Sequence, residues 1–77
     1  MIDELIDLIS EIIDLPKDEI DENTGPKSTP EWDSLAHLCI VAAVEEKYKI
    51  KIKLNKLEEI KSIRDIENIF KGYIRIF

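Results

Sequence analysis

The fold of this chain is decided by its central segment, residues 32–48, which read WDSLAHLCIVAAVEEKY. Apolar residues recur at helical spacing from about Ser34 to Tyr48, so the segment predicts one long helix. One face carries His37, Ile40, Val41, Val44 and Tyr48. The other carries Leu35, Leu38, Cys39 and Ala42 beside Glu45, Glu46 and Lys49, and these charges mark it as the solvent-facing side. Exposed leucines beside acids are typical of a docking surface, although a helix wedged between two others would show the same pattern.

The segments before this helix predict a first helix and a long connection. In residues 1–14, MIDELIDLISEIID, the apolar residues fall on one arc of a helical wheel and the polar residues on the other. Pro16 sets the limit of that helix, because proline disfavours helical backbone at the preceding residue. Residues 17–33 are polar and contain few large apolar side chains. We expect Ile20 and Trp32 to pin this connection to the core.

The segments after the central helix predict an extended connection and two further helices. Residues 49–54, KIKIKL, alternate like an edge strand, but no second strand is visible to pair with them, so we expect an extended segment whose isoleucines reach the core. Residues 56–61 can form a short helix. The last helix is predicted to start at Ser62, with a capping pattern from Ser62 to Asp65 and a possible end at Gly72. Its apolar stripe consists of Ile63, Ile66, Ile69, Phe70, Tyr73 and Ile74.

The predicted architecture is an all-α, four-helix bundle with a long first loop and a short third helix, formed as a single domain by residues 1–77. A chain of 77 residues builds only a small core, which argues against an autonomous catalytic cleft. Its net charge of −6 divides into −11 for residues 1–46 and +5 for residues 47–77. The acidic part would repel duplex nucleic acid and attract a basic partner surface.

The composition also limits the compartment and the chemistry. The single cysteine, Cys39, has no partner for an internal disulfide, and no cysteine–histidine cluster suggests a metal site. No apolar run is long enough for a membrane span, and the acids in the N-terminal segment argue against a signal peptide. We therefore expect a cytoplasmic protein that binds neither nucleic acid nor metal and does not insert into membranes.

Ser34 is the residue most suited to carry chemistry. A serine at a helix start is usually an N-cap, which is the purely structural interpretation. However, this serine follows a long loop that leaves it accessible, and it lies at the positive end of a helix, where an attached phosphate would be favoured. Leu35 and Leu38 lie just beyond it and could contact an attached group or a modifying enzyme.

In these features the chain resembles the acyl carrier proteins. The resemblance rests on Asp33-Ser34-Leu35 after a long loop, on the helix with Glu45-Glu46 and an aromatic residue at its end, and on the two helical segments that follow. It implies an acyl-carrier type of bundle in which Ser34 receives the 4′-phosphopantetheine arm of coenzyme A from a phosphopantetheinyl transferase. Asp33 would belong to the motif that the transferase reads. The docking face for acyl-loading ligases or synthases would comprise Leu35, Leu38, Glu45 and Glu46.

The resemblance implies a carrier without catalytic residues of its own, which holds acyl intermediates as thioesters on the arm. Because such a carrier must visit several enzymes, we expect it to be a monomer. Ala36 and Cys39 stand where fatty-acid carriers often have acids, and the lysines of residues 47–56 are unusual for the family. These departures favour a specialised polyketide or lipid pathway at least as much as housekeeping fatty-acid biosynthesis. The bundle could also shelter the acyl chain in a cleft lined by its many isoleucines.

Other functions are weighed against this one. A peptidyl or aminoacyl carrier would share the fold and the arm, and a plain helical interaction module would lack the arm. A Ser34–His37–Asp33 triad is disfavoured, because so small a chain offers little room for an oxyanion hole and a substrate pocket. His37 is instead expected to be a half-buried, hydrogen-bonded imidazole, and Cys39 a small apolar filler rather than a nucleophile.

Overall fold

The computed structural model describes residues 2–74 and the side chains of residues 2–72. It contains helices α1 (Ile2–Ile13), α2 (Ser34–Tyr48), α3 (Leu54–Leu57) and α4 (Ile63–Ile74), with a 3-10 turn at Lys17–Glu19. No strand occurs within residues 2–74, which confirms the all-helical prediction and the extended interpretation of the lysine-rich connection. Within the same range, every helix falls short of the length and apolar character that crossing a membrane requires.

Helix α1 buries the stripe that its sequence predicts and ends where expected. Leu5, Ile9 and Ile13 are buried against α2 and α4. Asp14 then adopts a left-handed backbone with φ of 59°, which stops the helix before Pro16. The hydroxyl of Ser10 donates a 2.6 Å hydrogen bond to the Leu15 carbonyl, so the first residue beyond this turn is tied back to the helix.

The buried core draws on α1, α2, α4 and the connections between them. Ile20 and Trp32 are buried, so the long loop is pinned as predicted. Helix α2 contributes the middle of its apolar face. The buried apolar residues are Leu5, Ile9, Ile13, Ile20, Trp32, Ile40, Val41, Val44, Ile52, Ile60, Ile63 and Ile66.

The long loop also completes the amino end of α4. The first amides of a helix have no partner inside it, and here those of Ile63 and Arg64 donate to the carbonyls of Thr24 (3.0 Å) and Glu22 (2.9 Å). The Arg64 guanidinium pairs with the Glu22 carboxylate as well. The long loop therefore stabilises the start of α4 through contacts between residues that are far apart in the sequence.

The capping pattern predicted for α4 is confirmed with one change of partner. Ser62 Oγ accepts a hydrogen bond from the Asp65 amide at 3.3 Å. The Asp65 carboxylate accepts from the Lys61 amide at 2.8 Å rather than from that of Ser62. The helix continues past Gly72, and the side chains of Tyr73 and Ile74 lie outside the described part.

Helix α3 begins two residues earlier than the predicted range of 56–61. The amides of Lys56 and Leu57 both donate to the Lys53 carbonyl, which sets the start at Leu54. The helix stops at Leu57 because Ile60 must reach the core and the Lys61 amide is used by the cap of α4. Leu57 is half-buried, whereas Leu54 is 79% exposed.

Candidate functional site

Ser34 is the first residue of α2, is exposed and does not cap the helix. The N-cap is Asp33, whose Oδ1 accepts a 2.8 Å hydrogen bond from the Ala36 amide. Asp33 has the extended backbone that an N-cap requires, with φ of −84° and ψ of −174°. The purely structural interpretation of Ser34 as the cap is therefore wrong. Among the described residues, no hydrogen bond engages the Ser34 hydroxyl.

This arrangement places an unused hydroxyl at the positive end of a helix of 15 residues. The amino end of such a helix stabilises negative charge through its free amides and its dipole. An anionic group linked to Ser34 would lie in that field. The Asp33 carboxylate accepts a hydrogen bond from the Ala36 amide, so it has a structural role at this end of the helix.

An apolar cleft of about 680 Å³ opens beside Ser34. This volume lies within the ~300–1,000 Å³ that is usual for small-molecule sites. The cleft runs between the start of α2, the short helix α3 and the end of the long loop. It is lined by Pro26, Trp32, Asp33, Ser34, His37, Leu38, Leu54, Leu57, Glu58 and Ile60.

The walls of the cleft differ from those predicted. Only Ile60 represents the isoleucines there, and the apolar lining comes chiefly from leucines and Trp32. The isoleucines are instead used in the packed core. Leu38 is 58% exposed, and with the exposed Leu54 it forms an open rim rather than a closed pocket.

His37 holds the inner part of the cleft together. The Trp32 indole N–H donates to His37 Nδ1 at 3.0 Å, and His37 Nε2 lies 3.0 Å from the Leu57 carbonyl oxygen. Because Nδ1 accepts, it carries no hydrogen, and Nε2 must carry the hydrogen that is donated to Leu57. The imidazole is thus neutral and joins the loop, α2 and α3. The predicted half-buried, hydrogen-bonded state of His37 is confirmed.

The described contacts do not form a Ser34–His37–Asp33 triad. Both nitrogens of His37 are engaged by Trp32 and Leu57, and Asp33 is engaged by Ala36. The imidazole therefore has no free nitrogen to take a proton from Ser34. Cys39 is exposed, so the expectation that it fills space in the protein is wrong. Within the described residues, no group of histidine, cysteine and carboxylate side chains could hold a metal ion.

The residues predicted for partner docking fall into two environments. Leu35 is 72% exposed, and Leu38 and Glu46 are also exposed, so this part of α2 is available for contact. Glu45 is half-buried, and its Oε2 accepts a 2.8 Å hydrogen bond from the Ile52 amide. That bond holds the extended connection against α2, a role that the sequence did not suggest.

Two features of the site were missed from the sequence. The capping role of Asp33 could have been found, since aspartate is a strong N-cap and the helix begins at the next residue. The contribution of Leu54 and Leu57 to the cleft could not, because it depends on how α3 folds back over α2.

Comparison of the sequence with protein-family models finds no match, and comparison with curated proteins finds none at significant similarity.

Proposed function

We propose that this protein is an acyl carrier, with a 4′-phosphopantetheine arm attached to Ser34 as its site of loading. The observation that carries the proposal is the exposed, unbonded Ser34 hydroxyl at the start of α2, beside an apolar cleft. A serine that only capped the helix would have its oxygen bonded to a backbone amide, and Asp33 performs that task instead.

The attachment step requires only the hydroxyl from this chain. The Ser34 oxygen would attack the phosphorus of coenzyme A that bears pantetheine, and the pyrophosphate bond would break. The remainder of coenzyme A leaves, the serine proton passes to a base of the transferase, and a phosphodiester remains. The helix dipole of α2 stabilises the negative charge of that phosphodiester.

The cleft gives the loaded group a place to lie. Trp32, Leu38, Leu54 and Leu57 offer apolar surface directly beside Ser34. Each methylene group removed from water there contributes about 0.8 kcal/mol. An acyl chain on the arm would therefore favour the cleft over bulk solvent, and this supports a fatty or polyketide acyl group over an amino acid.

The exposed part of α2 supports contact with the enzymes that load and use the arm. Leu35 and Leu38 provide apolar anchors, and Glu46 provides a charge at the same face. Enzymes with a basic rim around an apolar socket would match this surface. Glu45 belongs to the proposed contacts as well, and its carboxylate also accepts a hydrogen bond from the Ile52 amide within the protein.

The test is enzymatic loading followed by intact-mass measurement. The chain is incubated with coenzyme A and a broad-range phosphopantetheinyl transferase, and we expect a mass gain of one phosphopantetheine group. Ser34→Ala should abolish the gain. Ser28→Ala is the matched control and should retain it, because Ser28 is an exposed serine in the preceding loop.

The outcomes separate the alternatives. Folded wild-type chain that gains no mass would overturn the proposal and favour an interaction module without an arm. Loaded chain that is charged only by amino-acid-activating enzymes would indicate a peptidyl or aminoacyl carrier. Loading with fatty or polyketide acyl groups would support the acyl carrier.

A further inference from the structure

The cleft beside Ser34 is spanned at its inner end by one polar bridge. Trp32 belongs to the loop, His37 to α2 and Leu57 to α3, and two 3.0 Å contacts link them in that order. All three residues also line the cleft. The bridge is therefore part of the wall that an occupant of the cleft would meet.

Helix α3 is too short to hold its own position. It has four residues, and isolated helices of that length are unstable in water. Leu54 is exposed, so packing at its first residue contributes little. The positions of its end and of the following turn therefore depend on the half-buried Leu57, on the buried Ile60 and on the contact between His37 and the Leu57 carbonyl.

We propose that His37 is a positioning residue that fixes α3 relative to α2 and thereby sets the length of acyl chain that the cleft accepts. This inference rests on the proposed function for its acyl part, whereas the bridge itself can be tested on the chain without an arm. With the bridge intact, the wall formed by Leu57 stays close to Trp32. Without it, α3 moves away and the cleft lengthens.

The two hydrogen bonds of the bridge depend on the protonation state of His37. A neutral imidazole accepts from Trp32 through Nδ1 and donates to Leu57 through Nε2, whereas an imidazolium donates from both nitrogens and cannot accept from Trp32. The charged groups that share the cleft are Asp33, at the end of the loop, and Glu58, in the turn after α3. Both are exposed carboxylates, so a variant that removes one of these charges is needed as a control.

The first experiment uses the unmodified chain, which contains one tryptophan and one histidine. The indole N–H resonance of Trp32 and the ring resonances of His37 are followed by NMR during acidification. We expect the indole resonance to move with the same midpoint as the histidine ring, as the hydrogen bond is lost. Glu58→Gln should leave this coupling in place, because it removes a carboxylate from the cleft without touching the bridge. An indole resonance that ignores the histidine titration would overturn the proposal.

The second experiment tests the effect on α3 and on the cleft. His37→Leu removes both hydrogen bonds and places an apolar side chain in the space of the ring. His37→Gln again offers an acceptor and a donor. Backbone resonances of residues 54–60 should shift in His37→Leu and return towards wild type in His37→Gln. Unchanged resonances in folded His37→Leu would overturn the positioning role.

The third experiment uses loaded protein to determine the length of acyl chain that the cleft accommodates. Acyl groups from acetyl to decanoyl are placed on the arm, and the methyl resonances of Leu57 are recorded. In wild type we expect the perturbation to stop growing at one chain length, and in His37→Leu that limit should move to longer chains. An unchanged limit would overturn the proposal. If the arm cannot be attached at all, the proposed function fails, while the first two experiments still decide whether the bridge exists and holds α3.

Discussion

Gly25 lies directly against the carbonyl group of Lys61, so closely that a Cβ atom at residue 25 would stand 1.8 Å from the Lys61 oxygen. The contact joins the long loop to the residue that precedes the cap of α4. Thr24, the neighbour of Gly25, accepts from the Ile63 amide at 3.0 Å. Absence of a side chain at residue 25 is thus what allows the loop to satisfy the amino end of α4.

Gly25→Ala is expected to destabilise the protein. The Cβ atom meets backbone rather than a movable side chain, so the loop must retreat from α4, at a cost of about 1–3 kcal/mol. Chemical denaturation measures this loss, and hydrogen exchange at the Ile63 and Arg64 amides should speed up. Gly72→Ala is the matched control, because nothing lies near Gly72 in its helix. That change should stabilise the protein by roughly 0.5–1 kcal/mol, and equal effects of the two substitutions would contradict the packing argument.

The amino end of α2 offers a second prediction, which separates Asp33 from Ser34. Asp33→Ala removes the cap and should lower the free energy of unfolding by about 1 kcal/mol, or roughly 4–8 °C in melting temperature for a domain of this size. Asp33→Asn should retain most of the stability, since asparagine also caps helices well. Ser34→Ala should leave the melting temperature unchanged, because its hydroxyl bonds to no described residue. A large loss on Ser34→Ala would show that the hydroxyl has a structural role after all.

The sequence predicted the helices well because their apolar periodicity is strong and their limits are marked. The bounds of α2 are those expected, and α1 ends at Ile13, one residue short of the predicted 14 and ahead of Pro16. The burial of Ile20 and Trp32 was also predicted, since a thin core needs large apolar side chains from its loop. These features follow from the spacing of apolar residues and from helix-limiting residues, both of which can be identified in the sequence itself.

The parts that were predicted less well depend on contacts between distant segments. The end of α3 at Leu57 is set by the burial of Ile60 and by the use of the Lys61 amide in the cap of α4, and both depend on how other segments pack. Likewise, half-burial of Glu45 follows from its bond to Ile52 in the next segment. The cleft arises from α3 lying over the start of α2, so no periodicity could have indicated its lining.

Glu45 and Glu46 are adjacent in sequence and are expected to respond differently to substitution. Glu45→Ala leaves the Ile52 amide without its acceptor and should cost about 1 kcal/mol. Glu46→Ala removes an exposed carboxylate and should change stability by less than about 0.5 kcal/mol. Thermal denaturation of both variants checks this.

The same pair bears on docking. Glu46→Lys should weaken binding to a transferase with a basic surface while leaving the fold intact, since like charges then face each other. The affinity of the apo chain for the transferase is measured at two salt concentrations to detect this electrostatic effect. If Glu45→Ala is as stable as wild type, the internal role given to Glu45 is wrong.

Tyr48 supplies the last prediction, because its hydroxyl is buried without a hydrogen-bond partner in the described part of the chain. Its ring packs on Phe70 with centroids 4.8 Å apart, and phenylalanine would keep that contact. An unpaired buried hydroxyl is costly, so Tyr48→Phe should raise the free energy of unfolding by about 1 kcal/mol.

The increase in the free energy of unfolding caused by Tyr48→Phe should become larger at alkaline pH. Burial, followed by the charge of Glu4, raises the pKa of the Tyr48 phenol above its ordinary value. Above about pH 10 the unfolded state therefore releases this proton before the folded state does, and the stability of the wild type falls as the pH rises. The variant has no such proton to release, so the difference between the two proteins should widen from pH 9 to pH 11, as measured by urea denaturation. A difference that stays constant over this range would mean that the phenol is not shielded from solvent in the folded protein.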